Sequence, residues 1–166
     1  EMVKDYVEVK IVDSQFYDLS VEQFLDEVRQ FQPDFVGISV LTSEYENTLD
    51  VTADAVKEIN PDIIVIAGGV HVTIEHKRVM KNTSIDYAVR GEGEYVLQGL
   101  MRHLCADGDF PEKGLVYRKD GQTITQHQVF VDDLTKLPWP NYELVKMEDY
   151  LNTGARHGPL RAPAYP

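Results

Sequence analysis

The sequence holds a single cysteine, Cys105, among 166 residues. That scarcity excludes an intrachain disulfide framework and any metal or iron–sulfur site needing several thiolates from this chain. Long apolar runs are lacking too: the longest, Ile63–Ala67, falls far short of the roughly 20 residues of a membrane-spanning helix. Positive charge is thin, with 16 Lys and Arg against 28 Asp and Glu, a net charge of −12. Nucleic acid and anionic membrane surfaces are repelled by such a balance, and no local basic patch offsets it. No basic segment followed by an apolar stretch opens the chain, so no secretory signal is visible and a reducing cytoplasm is the expected location. A start at Glu1 and an end among prolines read as a piece of something longer.

What is present is globular. Hydrophobic residues make up 43% and charged ones 27%, which excludes a wholly disordered chain. Val7, Val9, Ile11 and Val12 predict a short strand ending at Asp13. Ser20 with Gln23 forms a capping box, and Val21, Phe24, Leu25, Val28 and Phe31 recur at helical spacing until Pro33. A buried strand is expected over 35–40. Ser43 and Glu46 repeat the capping pattern before a helix whose inner face carries Tyr45, Leu49, Ala53, Val56 and Ile59. Ile63–Ala67 reads as a central strand running into Gly68-Gly69. A shorter helix over 75–80, a strand at 87–89 and a helix over 94–105 follow, the last placing Cys105 on its packed side as a small buried thiol. Strands alternating with helices every 25 to 30 residues or so predict a doubly wound α/β fold with a parallel sheet. After Gly108, two β-branched runs flanking Asp120-Gly121 predict a hairpin annex. From Val131 onward no period is sustained, and Trp139 between two prolines is expected to anchor a linker against the domain.

Ligands of such sheets collect beyond the carboxyl ends of the strands. Three segments arrive there: Ser39-Val40-Leu41-Thr42-Ser43, Gly68-Gly69-Val70-His71, and Arg90-Gly91-Glu92-Gly93-Glu94. Glycine at that rim lets a ligand touch main chain where a Cβ would collide, although a glycine pair after a strand is equally read as a plain turn. Gly91-x-Gly93 fails as a dinucleotide fingerprint, because Val96 stands where the third glycine belongs, and the plainer reading is a charged loop capping the next helix. His71, Glu75 and His76 lack a third well-spaced ligand for a metal. Glu44 and Tyr45 open the helix after the first loop, where they are placed to border a ligand, with Tyr45 packing on Leu49 as the equal alternative, and Asp13 is expected to form a turn.

Ser39-x-Leu41 after one strand and Gly68-Gly69 after the next, in the settings Gly37–Thr42, Ala67–Thr73 and Asp86–Glu94, resemble the cobalamin-binding N-terminal domain of cobalamin-dependent radical SAM proteins. That group includes the anaerobic magnesium-protoporphyrin monomethyl ester oxidative cyclase, and the resemblance covers about residues 6–150, with Gly114–Arg118 and Leu137–Pro140 included. It implies a Rossmann- or flavodoxin-like domain over 1–110, the hairpin annex over 111–130, and a linker over 131–166 toward a radical SAM domain of the same parent chain. Implied cofactor-binding residues are Ser39, Val40, Leu41, Thr42, Gly68, Gly69, Val70, His71, Gly91, Glu92 and Gly93, with His71 hydrogen-bonding or packing rather than ligating cobalt. Base-off cobalamin is the implied ligand here. S-adenosylmethionine and a four-iron four-sulfur cluster belong to the parent protein, for methyl transfer or oxidative cyclisation, and this fragment carries no catalytic centre of its own.

The sequence departs from the family pattern in two ways. The family opens with one more strand and helix than are seen here, and classical cobalamin-binding domains place an Asp-x-His-x-x-Gly loop there; no such motif occurs in this sequence, although many radical SAM members resemble the domain without using that histidine. An incomplete sheet edge is therefore expected, filled by a partner chain, by self-association or by an upstream segment. The cluster cysteines are also absent. A receiver-like signalling module and a generic nucleotide-binding domain are the competing readings of the same fold pattern.

Overall fold

Ser20 starts the first helix by reciprocal capping: its hydroxyl accepts from the Gln23 amide at 3.2 Å, and the Gln23 side chain accepts from the Ser20 amide at 2.8 Å. In this computed structural model, which describes residues 1–42 and 46–152, the helix α1 spans Val21–Phe31 and ends at Gln32, whose positive φ of 52° closes the last turn. The strand β1 (Phe35–Ser39) follows, then α2 (Glu46–Ile59), β2 (Ile64–Gly68), α3 (Val70–Val79), β3 (Tyr87–Val89) and α4 (Glu94–Cys105). β1, β2 and β3 pair in parallel and in sequence order. The expected capping residue Ser43, with Glu44 and Tyr45, and the tail from residue 153 lie outside the described residues.

The hairpin predicted at Asp120-Gly121 forms between β4 (Leu115–Lys119) and β5 (Gln122–Thr125). Both turn residues take positive φ, 51° and 76°, matching the twist a two-residue connection needs. Its strand β4 pairs antiparallel with β3, so the hairpin annex extends the same sheet to five strands. Arg118 fastens it further: its guanidinium donates to the carbonyls of Ile85 at 2.6 Å and of Met80 and Asn82 at 2.5 Å each, satisfying the chain beyond α3. Beyond β5 come two single 3-10 turns and the short helix α5 (Met147–Asn152).

Helices cover both faces. Leu25 and Val28 of α1, Leu49, Ala53 and Val56 of α2, and Val72 and Val79 of α3 pack with Val36, Val65 and Ala67 on one. Val96, Leu100 and Met101 of α4 pack with Ile66, Val89 and Leu115 on the other. Leu49 and Leu100 are fully buried, which explains why the apolar spacing of both helices was readable.

Four expectations are corrected. Residues 8–12 form no strand, since no ladder partner lies beside them. α3 begins at Val70 rather than Glu75, because Gly69 turns the chain directly into the helix with no capping side chain, and Glu75 is a kink at φ −102° and ψ 21°. Cys105 is exposed, one turn past the buried Met101. Trp139 is 86% exposed and does not anchor the linker against the domain among the described residues.

Leu100→Ala is expected to cost about 2–5 kcal/mol through the cavity it leaves, and Ser20→Ala about 1 kcal/mol through the lost cap. Urea denaturation followed by circular dichroism measures both.

Candidate functional site

The carboxyl ends of β1 and β2 meet at a backbone seam. The Val40 amide donates to the Gly68 carbonyl at 2.9 Å, and the Val40 carbonyl accepts from the His71 amide at 3.2 Å. Gly69 lies between, with φ of 97°, and a Cβ there would collide with the Val40 carbonyl oxygen and stand 2.9 Å from its nitrogen. Only glycine satisfies both the left-handed backbone and that approach. Gly69 is therefore consumed by the fold itself.

Gly68 is different. A Cβ at Gly68 or at Gly37 would meet nothing within 4 Å. Because Gly37 pairs with Ile66 and Ser39 with Gly68 in parallel register, these small residues share one face of the sheet, the face that α4 covers. Together they line a trough at the rim, where Ser39 carries a small side chain and Gly37 and Gly68 carry none. Ile66 and Phe35, packed in the α4-side core, close its lower end. Val40 points its side chain the other way, into the core. Leu41 and Val70, 64% and 56% exposed, stand at the mouth, with Thr42 exposed beside them.

His71, expected at the mouth, is 3% exposed and belongs beneath the turn. The 91–93 turn is also engaged internally. Gly91, at φ 85°, abuts the Val129 carbonyl and forms a parallel bridge to it. The Glu92 amide donates to the Val129 carbonyl at 3.0 Å, and its carboxylate accepts from the Val131 amide. Gly93 caps α4 without a side chain. Asp13 makes the turn expected of it, accepting from the Phe16 amide at 2.8 Å, and also accepts from the Tyr150 hydroxyl at 2.7 Å. That bond raises the Tyr150 phenol to about 12.

Thr73 joins the segments, and sequence reasoning missed it. Its hydroxyl donates to the Gly69 carbonyl at 3.2 Å and accepts from the Gly91 amide at 3.0 Å. The signal was a hydroxyl four residues after Gly69, placed to bond back along a helix. Beside it, His76 is 9% exposed, with Nδ1 3.3 Å from the Thr73 carbonyl. Burial, then the Arg90 charge, lowers its pKa from the usual imidazole value.

Glycines that admit a ligand at the rim of a parallel sheet suit a cofactor seated on main chain, and the B12 binding domain model matches residues 1–101. The chain belongs to that family. This B12-binding domain is 31% identical, over 95% of its length, to an uncharacterized methyltransferase of Pyrococcus horikoshii. It is also 31% identical, over 88% of its length, to the anaerobic magnesium-protoporphyrin IX monomethyl ester cyclase of Rubrivivax gelatinosus. It spans 35% and 27% of those two proteins. Among solved structures it is similar to the cobalamin-dependent S-adenosylmethionine radical enzyme OxsB, with TM-score 0.70, 20% identity, and coverage of 88% of this chain and 20% of that one. It is also similar to the radical S-adenosylmethionine methyltransferase TsrM of Kitasatospora setae, with TM-score 0.64, 18% identity, and coverage of 75% and 25%. No helix among the described residues is long and apolar enough to cross a membrane.

Because folding keeps His76 neutral while the unfolded chain protonates it below about pH 6.5, its contribution is complete above that pH. It is lost as pH falls from there toward the lowered folded value. The urea midpoint is expected to drop between pH 7.5 and 5.5, and by less in His76→Gln.

Proposed function

We propose that this domain holds base-off cobalamin with its nucleotide tail in the trough of Gly37, Ser39 and Gly68, leaving the corrin ring over Leu41 and Val70. The observation that carries the reading is the empty space a Cβ at Gly68 or Gly37 would occupy, in a chain of the B12-binding family. Burying the planar base against glycine main chain and the α4 face removes apolar surface from water, and Ser39 offers a hydroxyl to a polar edge. Exposed Leu41 and Val70 give the larger ring an apolar seat. Thr42, Val40 and Gly69 shape the rim through their backbone, while His71, Gly91, Glu92 and Gly93 support the loops from behind.

Cobalamin, when bound, supplies cobalt-centred methyl-transfer or radical chemistry. The parent enzyme would bring S-adenosylmethionine and a four-iron four-sulfur cluster in a radical SAM domain of the same chain, working in the cytoplasm. Relatives named as a methyltransferase and as a cyclase support methyl transfer or oxidative cyclisation as its reaction class. A receiver-like module is disfavoured because β2 ends in glycines rather than an aspartate. A nucleotide fold is disfavoured because Gly91 is spent on internal packing against Val129.

The full-length protein is expected to retain corrin absorbance after mixing with hydroxocobalamin and desalting. Gly68 has no positive φ, so Gly68→Leu is expected to fold with an unchanged urea midpoint yet weaken retention about tenfold or more, about 1.4 kcal/mol. Undiminished retention in that variant overturns the placement.

A further inference from the structure

The turn 13–19 stands at the carboxyl rim of the sheet, outside β1. α1 feeds β1 through residues 32–34 alone, so it ends at the amino end of that strand and runs along the sheet, where Leu25 and Val28 pack with Val36. The 11 residues of α1 and the five of β1 each span about 16 Å, which brings Ser20 to the level of Ser39. Just before Ser20, the Leu19 amide closes the turn on the Ser14 carbonyl at 2.8 Å. α5 is fastened to that turn in three ways. The Tyr150 hydroxyl donates to Asp13 at 2.7 Å, the Tyr17 hydroxyl donates to Asp149 at 2.8 Å, and the Phe16 and Tyr150 rings stack with centroids 3.9 Å apart. The same stretch of chain is pinned at its other end, where Val129 and Val131 bond to the 91–92 turn. One pin therefore lies beyond β3 and the other outside β1, with the trough of Gly37, Ser39 and Gly68 between them.

Between the pins the chain is slack. Among the described residues, every hydrogen bond and ion pair of residues 132–146 stays within 132–149. The pins are about three strand spacings apart, about 15 Å, whereas a chain of that length reaches roughly 50 Å. Leu134, Trp139 and Tyr142 are exposed along it. Pro138 and Pro140 flank Trp139; they stiffen the chain and offer no amide to a ladder, so the indole is carried on a rigid mount.

We infer that residues 132–146 form a strap that closes over cobalamin seated at the rim, with Trp139 packing against the part of the corrin ring that overhangs Leu41 and Val70. The inference rests on the cobalamin reading of the trough. A corrin ring is wider than a trough floored by glycine, and its periphery carries methyl groups and amide arms. The indole buries apolar surface against the first and donates its N–H to a carbonyl of the second. Both ends of the strap are already fixed, so drawing its middle down onto a ligand orders only a short loop.

Trypsin digestion of the native full-length protein, with and without hydroxocobalamin, tests the strap. Lys136 is exposed and is followed by Leu137, which makes a cleavable bond in the slack stretch. Cutting there follows the population of the open strap, and hydroxocobalamin is expected to slow it about tenfold or more, as read by mass spectrometry of the first fragments. Trp139→Ala removes an exposed side chain, so it is expected to keep the urea midpoint and to release hydroxocobalamin about tenfold faster. Retained corrin with Lys136 cut at an unchanged rate overturns the strap and leaves the trough reading standing. Resistance of Lys136 without cobalamin also overturns it, and identifies another part of the parent chain as the cover. Unchanged release from Trp139→Ala overturns the indole contact. A desalted protein that keeps no corrin sinks the cobalamin reading and the strap together.

Discussion

The approach of the Gly69 backbone to Val40 is the constraint on which the rest of the molecule depends. Through it the Val40 carbonyl accepts from His71, which sets where α3 leaves the sheet and sends His71 and Val72 into the core. Once α3 is placed, Thr73 reaches Gly91, and the third loop is fixed in turn. The same seam leaves Gly68 facing the opposite side of the sheet, with open space before it. Two adjacent glycines therefore differ: one lets the chain close on itself, and the other leaves open space on the α4 side of the sheet.

Much of this was legible in the sequence because local and tertiary preferences agree there. The capping box at Ser20, the apolar face of α2 and the Asp120-Gly121 turn each act within a few residues, and each is found as expected. Val7–Val12 misled because β-branched composition marks a segment that suits a strand, whereas a strand exists only where a neighbour supplies its hydrogen bonds. The late start assigned to α3 has the opposite cause: Gly69 begins that helix by backbone geometry, without any side-chain signal. Neither the Ser39-x-Leu41 motif nor glycine counting reveals which face a residue takes, so the division between Gly68 and Gly69 required the register of β1 on β2.

The candidate site is built mainly from main chain and residues without bulk. Such a surface recognises shape and planarity and carries little information about a reaction. That fits a domain that seats a cofactor and leaves substrate choice to structure elsewhere. The polar 90–93 turn contributes indirectly: Glu92 and Gly91 hold residues 129–131, and Arg90 donates to the Gln126 carbonyl at 2.9 Å. The hairpin and its following strand-like segment thus brace the rim from behind.

The direction of β4 has a practical corollary. Since Leu115 lies opposite Val89 and the strand runs antiparallel to β3, the Asp120-Gly121 bend emerges at the floor of the molecule, far from the rim, and Gly121 has open space around it. A dye, an affinity handle or a surface tether grafted at that bend would leave the upper surface unobstructed, giving an attachment point for optical or single-molecule work on cofactor loading.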